Sequence, residues 1–228
     1  MSKPLLAYWD IRGFAEPARL LLEYGGVEYE EKKYVQGDGP GFSRTDWTDV
    51  KFDQGLDFPN LPYYVEGDFK ITESWAIYRY IAQKVGLALT DPKEQALADM
   101  AAGNIGDFRG RFLGLCYRPG EKGLEAAKAD YVASYLPGQL DAYNKFLEGK
   151  KWLAGDNLSY VDFQFAEILD HVQTMNPGCF DKHANVKDYV DRFFKLEKIA
   201  AYRASSRFHK FPINNKVAQW GGNVPASS

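Results

Sequence analysis

The 228-residue chain is poor in the residues that build metal centres and redox pairs, with two cysteines and three histidines. Cys116 and Cys179 stand 63 positions apart without Cys-x-x-Cys or zinc-ligand spacing, so both read as core thiols. His171, His183 and His209 are scattered in the same way, and no metal is expected. No run of about 18 apolar residues and no signal-peptide pattern occurs, which excludes a membrane span and predicts a soluble, unexported, cytoplasmic protein. Charge of one sign is lacking as well. A net charge of -3 and a pI near 5.7 argue against a nucleic-acid surface. Internal repeats and low-complexity tracts are absent. What remains is 45% hydrophobic and 26% charged, a globular composition long enough for two small cores.

The most informative stretch runs from Asn60 to Tyr80. Leu61-Pro62-Tyr63-Tyr64-Val65 is β-branched and aromatic, Glu66-Gly67-Asp68 is turn-forming, and Phe69-Lys70-Ile71-Thr72 alternates, so the spacing predicts a hairpin. A helix follows from Glu73, with Ile77, Ile81 and Val85 along one face and Gly86 at its left-handed stop. Its first turn holds Glu73 and Ser74. Unpaired N–H groups and the helix dipole favour a carboxylate or phosphate there, and Ser74 adds a hydroxyl donor. Pro62 belongs at a sheet edge or strand start, or in a cis bond that turns Leu61 outward to an extended peptide. An ordinary capped helix after a hairpin is the bland alternative.

Upstream, Leu5-Leu6-Ala7-Tyr8 reads as a strand, Ala18, Leu21 and Leu22 as the inner face of a helix stopped at Gly25-Gly26, and Val27–Lys33 as a strand. A loop through Gly37-Asp38-Gly39-Pro40-Gly41 follows. The order β-α-β-(loop and short helix)-β-β-α is the thioredoxin-like plan. Past a linker near 87–90 the pattern is helical only. Asp91 caps, Pro92 takes the first helical position and Glu94 completes a capping box. The helix from 92 to about 117 carries Gly103, Gly106, Gly110 and Gly114 along one side, each costing about 0.8–1 kcal/mol relative to Ala. Close approach of another helix, space for a ligand, or a merely poor helix would account for them. Further helices are expected over 124–146, from a Ser159/Asp162 capping box with Leu158 and Phe163 as staple, and over 186–196 and 198–205, before an irregular tail from Phe211 through Pro225. The fold class is therefore α/β plus all-α, with domains 1–86 and 91–228.

In thioredoxin-like proteins the loop after the first strand commonly holds a Cys-x-x-Cys pair. Here the strand ends on Tyr8. A phenol of ordinary pKa about 10 can donate to a thiolate but cannot form a disulfide, and a buried structural tyrosine is the alternative.

Five segments carry a resemblance across nearly the whole chain. They are Tyr8-Trp9-Asp10-Ile11-Arg12-Gly13, Gly55-Leu56-Asp57-Phe58-Pro59-Asn60-Leu61-Pro62-Tyr63, Ser159-Tyr160-Val161-Asp162-Phe163, and Leu196-Glu197-Lys198-Ile199 with Ser205-Ser206-Arg207-Phe208. The chain resembles the cytosolic glutathione transferases, and closely the mu class, whose distinguishing extra loop is matched by Tyr34 to Phe42. The resemblance implies that Tyr8 donates to the glutathione sulfur and that Ser74 and Leu61–Pro62 receive its γ-glutamyl carboxylate and cysteinyl backbone. Trp9, Arg44, Trp47, Lys51, Asn60 and Glu73 would line the rest, and Asp107 would reach the ligand of the other subunit. It also implies that Tyr117 aids the electrophile or leaving group, that Gly110, Gly114 and Asn214 border the electrophile, and that Phe58, Arg79 and Asp99 build a homodimer. Glutathione would be a co-substrate, with no cofactor, and hydrophobic electrophiles the other substrates. Two features depart from the mu pattern: Glu73 stands where Gln is typical, and Gly110, Gly114 and Asn214 stand where bulkier apolar or aromatic residues are typical. The competing readings are a non-catalytic ligand carrier, a scaffold, and an isomerase using the same glutathione site.

Overall fold

The computed structural model describes residues 3–222; Pro225 of the expected tail lies outside them. The chain divides into two compact units, Met1–Gly86 with Ala201–Ser228, and Leu87–Ala200.

In the first unit β1 (Leu5–Trp9), α1 (Glu16–Gly25), β2 (Glu30–Tyr34), α2 (Thr45–Thr48), β3 (Tyr63–Glu66), β4 (Phe69–Thr72) and α3 (Ser74–Lys84) follow in the expected order. The described strands form one sheet in the order β2-β1-β3-β4, with β1 parallel to β2 and antiparallel to β3. Leu6, Ala7, Leu20, Leu21, Tyr64, Ile77 and Ile81 fill its core. Gly26, at φ 68°, closes α1 by giving its N–H to Glu23 O and Leu22 O, the left-handed conformation that glycine adopts without steric cost. The Leu61–Pro62 bond is cis.

One boundary differs from the expectation of a second domain running from 91 to 228. Residues Ala201–Ser228 belong with the first unit. Arg12 and Gly13 donate their backbone N–H groups to Pro212 O and Ile213 O at 3.0 Å, Val217 N–H donates to Gln36 Oε1 at 3.0 Å, and Lys216 pairs with Asp38 at 2.6 Å. Such long-range backbone pairing leaves no periodicity in an irregular segment, which is why the sequence is silent about it.

The second unit holds α4 (Pro92–Tyr117), α5 (Gly123–Asp130), a π-helical turn (Tyr131–Tyr135), α6 (Leu136–Phe146), α7 (Tyr160–Met175) and α8 (Ala184–Phe194); α9 (Glu197–Arg203) spans the boundary. Asp91 caps α4 through the N–H groups of Lys93 and Glu94 at 2.8 and 3.0 Å. Glu94 does not close the expected box, because its carboxylate accepts from Asn157 Nδ2 at 3.0 Å. The single helix expected over 124–146 is interrupted by the π turn. Pro137, at the start of α6, has no N–H for the carbonyl four residues earlier, at Ala133, and a widened turn absorbs that mismatch. The Ser159/Asp162 capping box is present at the start of α7. Most of α7 is buried, and Phe163, Phe165 and Val161 reach zero exposure. A Cβ added at Gly103, Gly106, Gly110 or Gly114 meets nothing within 4 Å. Among the described residues no helix packs on this stripe, so the close-approach reading fails and open space lies over it. Among the described residues no helix is long and apolar enough to cross a membrane.

Candidate functional site

Tyr8 occupies the fourth position of β1, paired in register with Lys33, and is 7% exposed. Its ring lies against the turn leading to α1: a Cβ on Gly13 would stand 2.7 Å from the Tyr8 oxygen and 2.5 Å from a ring carbon. Gly13 has φ +42°, and only glycine admits both the angle and the approach. This residue was absent from the sequence-derived set. Its signal was there, a glycine closing the strand-to-helix turn after Tyr8.

On the neighbouring antiparallel strand, Tyr63 pairs with Ala7, so the cis Leu61–Pro62 pair sits immediately before the end of β3 nearest Tyr8. Leu61 is half-buried, and its N–H donates to Asn60 Oδ1 at 2.9 Å. Asn60 Nδ2 donates in turn to Glu73 Oε1 at 3.3 Å. Glu73 holds φ 67° and ψ 112°, a conformation that costs a non-glycine residue about 1–3 kcal/mol and is concentrated at ligand sites. Directly after it Ser74 opens an eleven-residue helix, whose first N–H groups present a donor-rich, partly positive end. Asn60, Leu61, Pro62, Glu73 and Ser74 are thus brought to one end of the β3–β4 hairpin.

Trp47, on α2, is held by aromatic neighbours that the sequence reading did not name. Its ring centroid lies 5.1 Å from Tyr34 and 6.0 Å from Tyr63, and Tyr34 lies 6.4 Å from Trp9. The hydroxyls of Tyr34 and Tyr63 share a hydrogen bond of 3.1 Å. Burial raises both phenols above their ordinary range, which keeps them neutral. Arg44, just before α2, is exposed, and Lys51, half-buried, lies 4.6 Å from the Phe52 ring centroid. Arg44 and Lys51 stand about one turn before and after Trp47 along the chain.

In the second unit Asp107, Gly110 and Gly114 line one open depression of about 710 Å3. Tyr117, half-buried at the end of α4, is not part of that lining, although the next residue, Arg118, is. Asn214, expected beside the electrophile, is 2% exposed, and its amide donates to Trp220 O at 3.0 Å. Its side chain closes its own turn, giving the buried polar amide the acceptor it needs. Phe58 is 75% exposed on its loop. Arg79 donates to Trp75 O, and Asp99 accepts from the Tyr160 hydroxyl at 2.6 Å.

Comparison with known proteins agrees with this geometry. Residues 4–83 match the family model for the glutathione S-transferase N-terminal domain, and residues 106–206 match that for the glutathione S-transferase C-terminal domain. The chain is 46% identical to human glutathione S-transferase Mu 3 over 96% of each chain, and 45% identical to mouse glutathione S-transferase Mu 5 over 95% of each. The crystal structure of the glutathione S-transferase Blo t 8 superposes with a TM-score of 0.86 at 35% identity, covering 95% of this chain and 99% of that one. Both domain models and these near full-length relatives lead to one conclusion: the chain belongs to the glutathione S-transferase family, in its mu class.

Proposed function

We propose that the protein is a glutathione S-transferase that turns the glutathione thiol into a thiolate and directs it at hydrophobic electrophiles. The observation that supports this most directly is the placement of Tyr8, ring against Gly13, on the strand next to Leu61–Pro62. A free thiol has a pKa of about 8.5, and only its anion attacks. A fixed phenolic donor stabilises that anion. Lowering the pKa by about 2 units takes about 2.7 kcal/mol, within the range of one well-aimed buried donor.

Glutathione enters as co-substrate. Its γ-glutamyl carboxylate takes the N–H groups and hydroxyl of Ser74, its cysteinyl backbone pairs with Leu61, and its glycyl carboxylate meets Arg44 and Lys51 beside Trp47. Trp9, Asn60 and Glu73 complete the cradle, and Asp107 of the partner subunit holds the ligand's ammonium. The thiol proton leaves to solvent, the thiolate pair forms a C–S bond with the electrophile, and the leaving group departs with its electrons. Tyr117 assists that departure, and Gly110 and Gly114 leave room for the electrophile. The protein acts in the cytoplasm as a homodimer in which Phe58 inserts into the partner and Arg79 and Asp99 lie near the two-fold axis.

The test is the pH titration of thiolate absorbance for glutathione bound to the wild type and to Tyr8→Phe. A midpoint well below about 8.5 that returns upward in the variant supports the reading. An unshifted thiol in the wild type overturns it.

A further inference from the structure

Gln54 closes a 3₁₀ turn (Lys51–Gln54) that follows α2, and its side chain is half-buried. Its Nε2 donates to Val50 O at 2.9 Å, and its Oε1 accepts from the Tyr63 hydroxyl at 3.2 Å. A carbonyl can only accept, so the amide nitrogen has to face Val50 and the amide oxygen is left for Tyr63. That fixes the direction of the bonds upstream. Burial keeps Tyr34 and Tyr63 protonated, each with one proton to give. Tyr63 gives its proton to Gln54, so Tyr34 donates to the Tyr63 oxygen across the 3.1 Å between their hydroxyls. One chain of donors therefore runs from Tyr34 on β2 to Tyr63 on β3, to Gln54, and ends on Val50 O.

The end of that chain lies beside two residues of the proposed glutathione cradle. Val50 N–H donates to Trp47 O at 3.1 Å, and Lys51 directly follows Val50. The rings of the same two tyrosines pack against Trp47, at 5.1 and 6.0 Å between centroids. Gln54 is also tied to the sheet through its main chain, where its carbonyl accepts from Lys70 Nζ, on β4, at 2.7 Å. With its amide nitrogen, amide oxygen and carbonyl all engaged, Gln54 has one orientation and passes the position of the sheet on to the Val50 peptide.

Resting on the transferase reading above, in which Trp47 and Lys51 meet the glycyl carboxylate, we propose that Gln54 is a positioning residue for the glycyl end of glutathione. It touches no substrate. It acts through Val50 on Trp47 and Lys51, so its loss weakens the hold on the glycine of the thiol substrate and leaves the chemistry at Tyr8 unaltered.

The experiment compares glutathione with γ-glutamylcysteine, which carries the same thiol and lacks the glycine, each reacting with 1-chloro-2,4-dinitrobenzene. The proteins are the wild type, Gln54→Met, Tyr63→Phe and the double variant. Gln54→Met keeps the side-chain length without its hydrogen bonds, and Tyr63→Phe keeps the ring beside Trp47 without the donor to Gln54. In each single variant the ratio of kcat/KM for glutathione to that for γ-glutamylcysteine should fall about fivefold, the size expected for one lost hydrogen bond. The fall should come from KM for glutathione, with kcat at saturating glutathione kept. The double variant should match Gln54→Met, because Tyr63 acts through Gln54. A ratio that stays at its wild-type value in both single variants, or a fall shared equally by the two thiols, overturns the positioning role and leaves the transferase reading intact. A double variant showing the product of the two single effects does the same. A wild type that conjugates neither thiol overturns both.

Discussion

Asn60 holds Glu73 by donating to its Oε1 at 3.3 Å, across 13 residues of chain and onto the one residue that twists to φ 67° ahead of α3. The amide links the loop before β3 to the start of the helix, so the two sides of the cradle are set together. The link also fixes a carboxylate beside the place where an α-amino group and an α-carboxylate of glutathione would lie.

Glu73→Gln therefore changes two opposed Coulomb effects, attraction to the ammonium and repulsion of the carboxylate. Both are screened as salt shortens the Debye length from about 30 Å at 0.01 M to about 3 Å at 1 M. Titration calorimetry with glutathione should show a difference between wild type and variant at low salt that shrinks at high salt. The same difference at both would refute an electrostatic role for Glu73.

Gly13→Ala should push Tyr8 out of place. A methyl there stands 2.5 and 2.7 Å from the phenol ring and oxygen and sits on a backbone at φ +42°. The expected stability loss is about 1–3 kcal/mol, with kcat/KM reduced on the order of tenfold to a hundredfold because a donor displaced by an ångström loses the thiolate. The bound thiol's pKa should rise in the same variant. An unchanged thiol pKa would show that Tyr8 owes its placement to something other than Gly13.

Asp162 offers a pH dependence. Burial pushes its carboxyl up to about 6, against the pull of four donors: Leu153 N–H, Ser159 N–H, Ser159 Oγ and the Tyr189 hydroxyl. The folded value lies above an unfolded one of about 3.9, so between the two the folded state holds the extra proton. This group's contribution is most favourable below about pH 4 and declines as pH rises to about 6, by about 3 kcal/mol. Urea unfolding of wild type and Asp162→Asn across that range should give a stability difference that varies with pH. Parallel curves would mean that Asp162 does not titrate there.

Phe58→Ser should shift the protein from dimer to monomer in sedimentation velocity. A phenylalanine 75% exposed on a loop has about 1.5–3 kcal/mol of burial energy left to gain, which a partner's apolar pocket would supply. A wild type that already sediments as a monomer, or a variant that remains a dimer, would remove Phe58 from that role.

How much of this was legible beforehand varies with the kind of signal. The hairpin, the α3 face of Ile77 and Ile81, the Asp91 cap and the Ser159/Asp162 box are local patterns of period two, period 3.6 or fixed offset, and each is found where expected. Tyr8, Leu61, Pro62 and Ser74 were named from their strand-end and helix-start positions and from the resemblance to known transferases, and the glutathione titration proposed above is what tests them. Glu94 turning to Asn157, 63 positions away, was not, because nothing local distinguishes a carboxylate that caps its own helix from one that leaves it.

The amino-acid sequence by itself determined the element order, the helix starts and the family, since those depend on short-range spacing and on residue identity. Tertiary structure alone decided that the tail joins the first unit, that Asn214 turns inward, that Tyr34 and Tyr63 brace Trp47, and that open space lies above the α4 glycines. Each of these depends on which distant groups meet in space. Backbone pairing, aromatic packing and unfilled volume are long-range properties that leave no periodic trace along the chain.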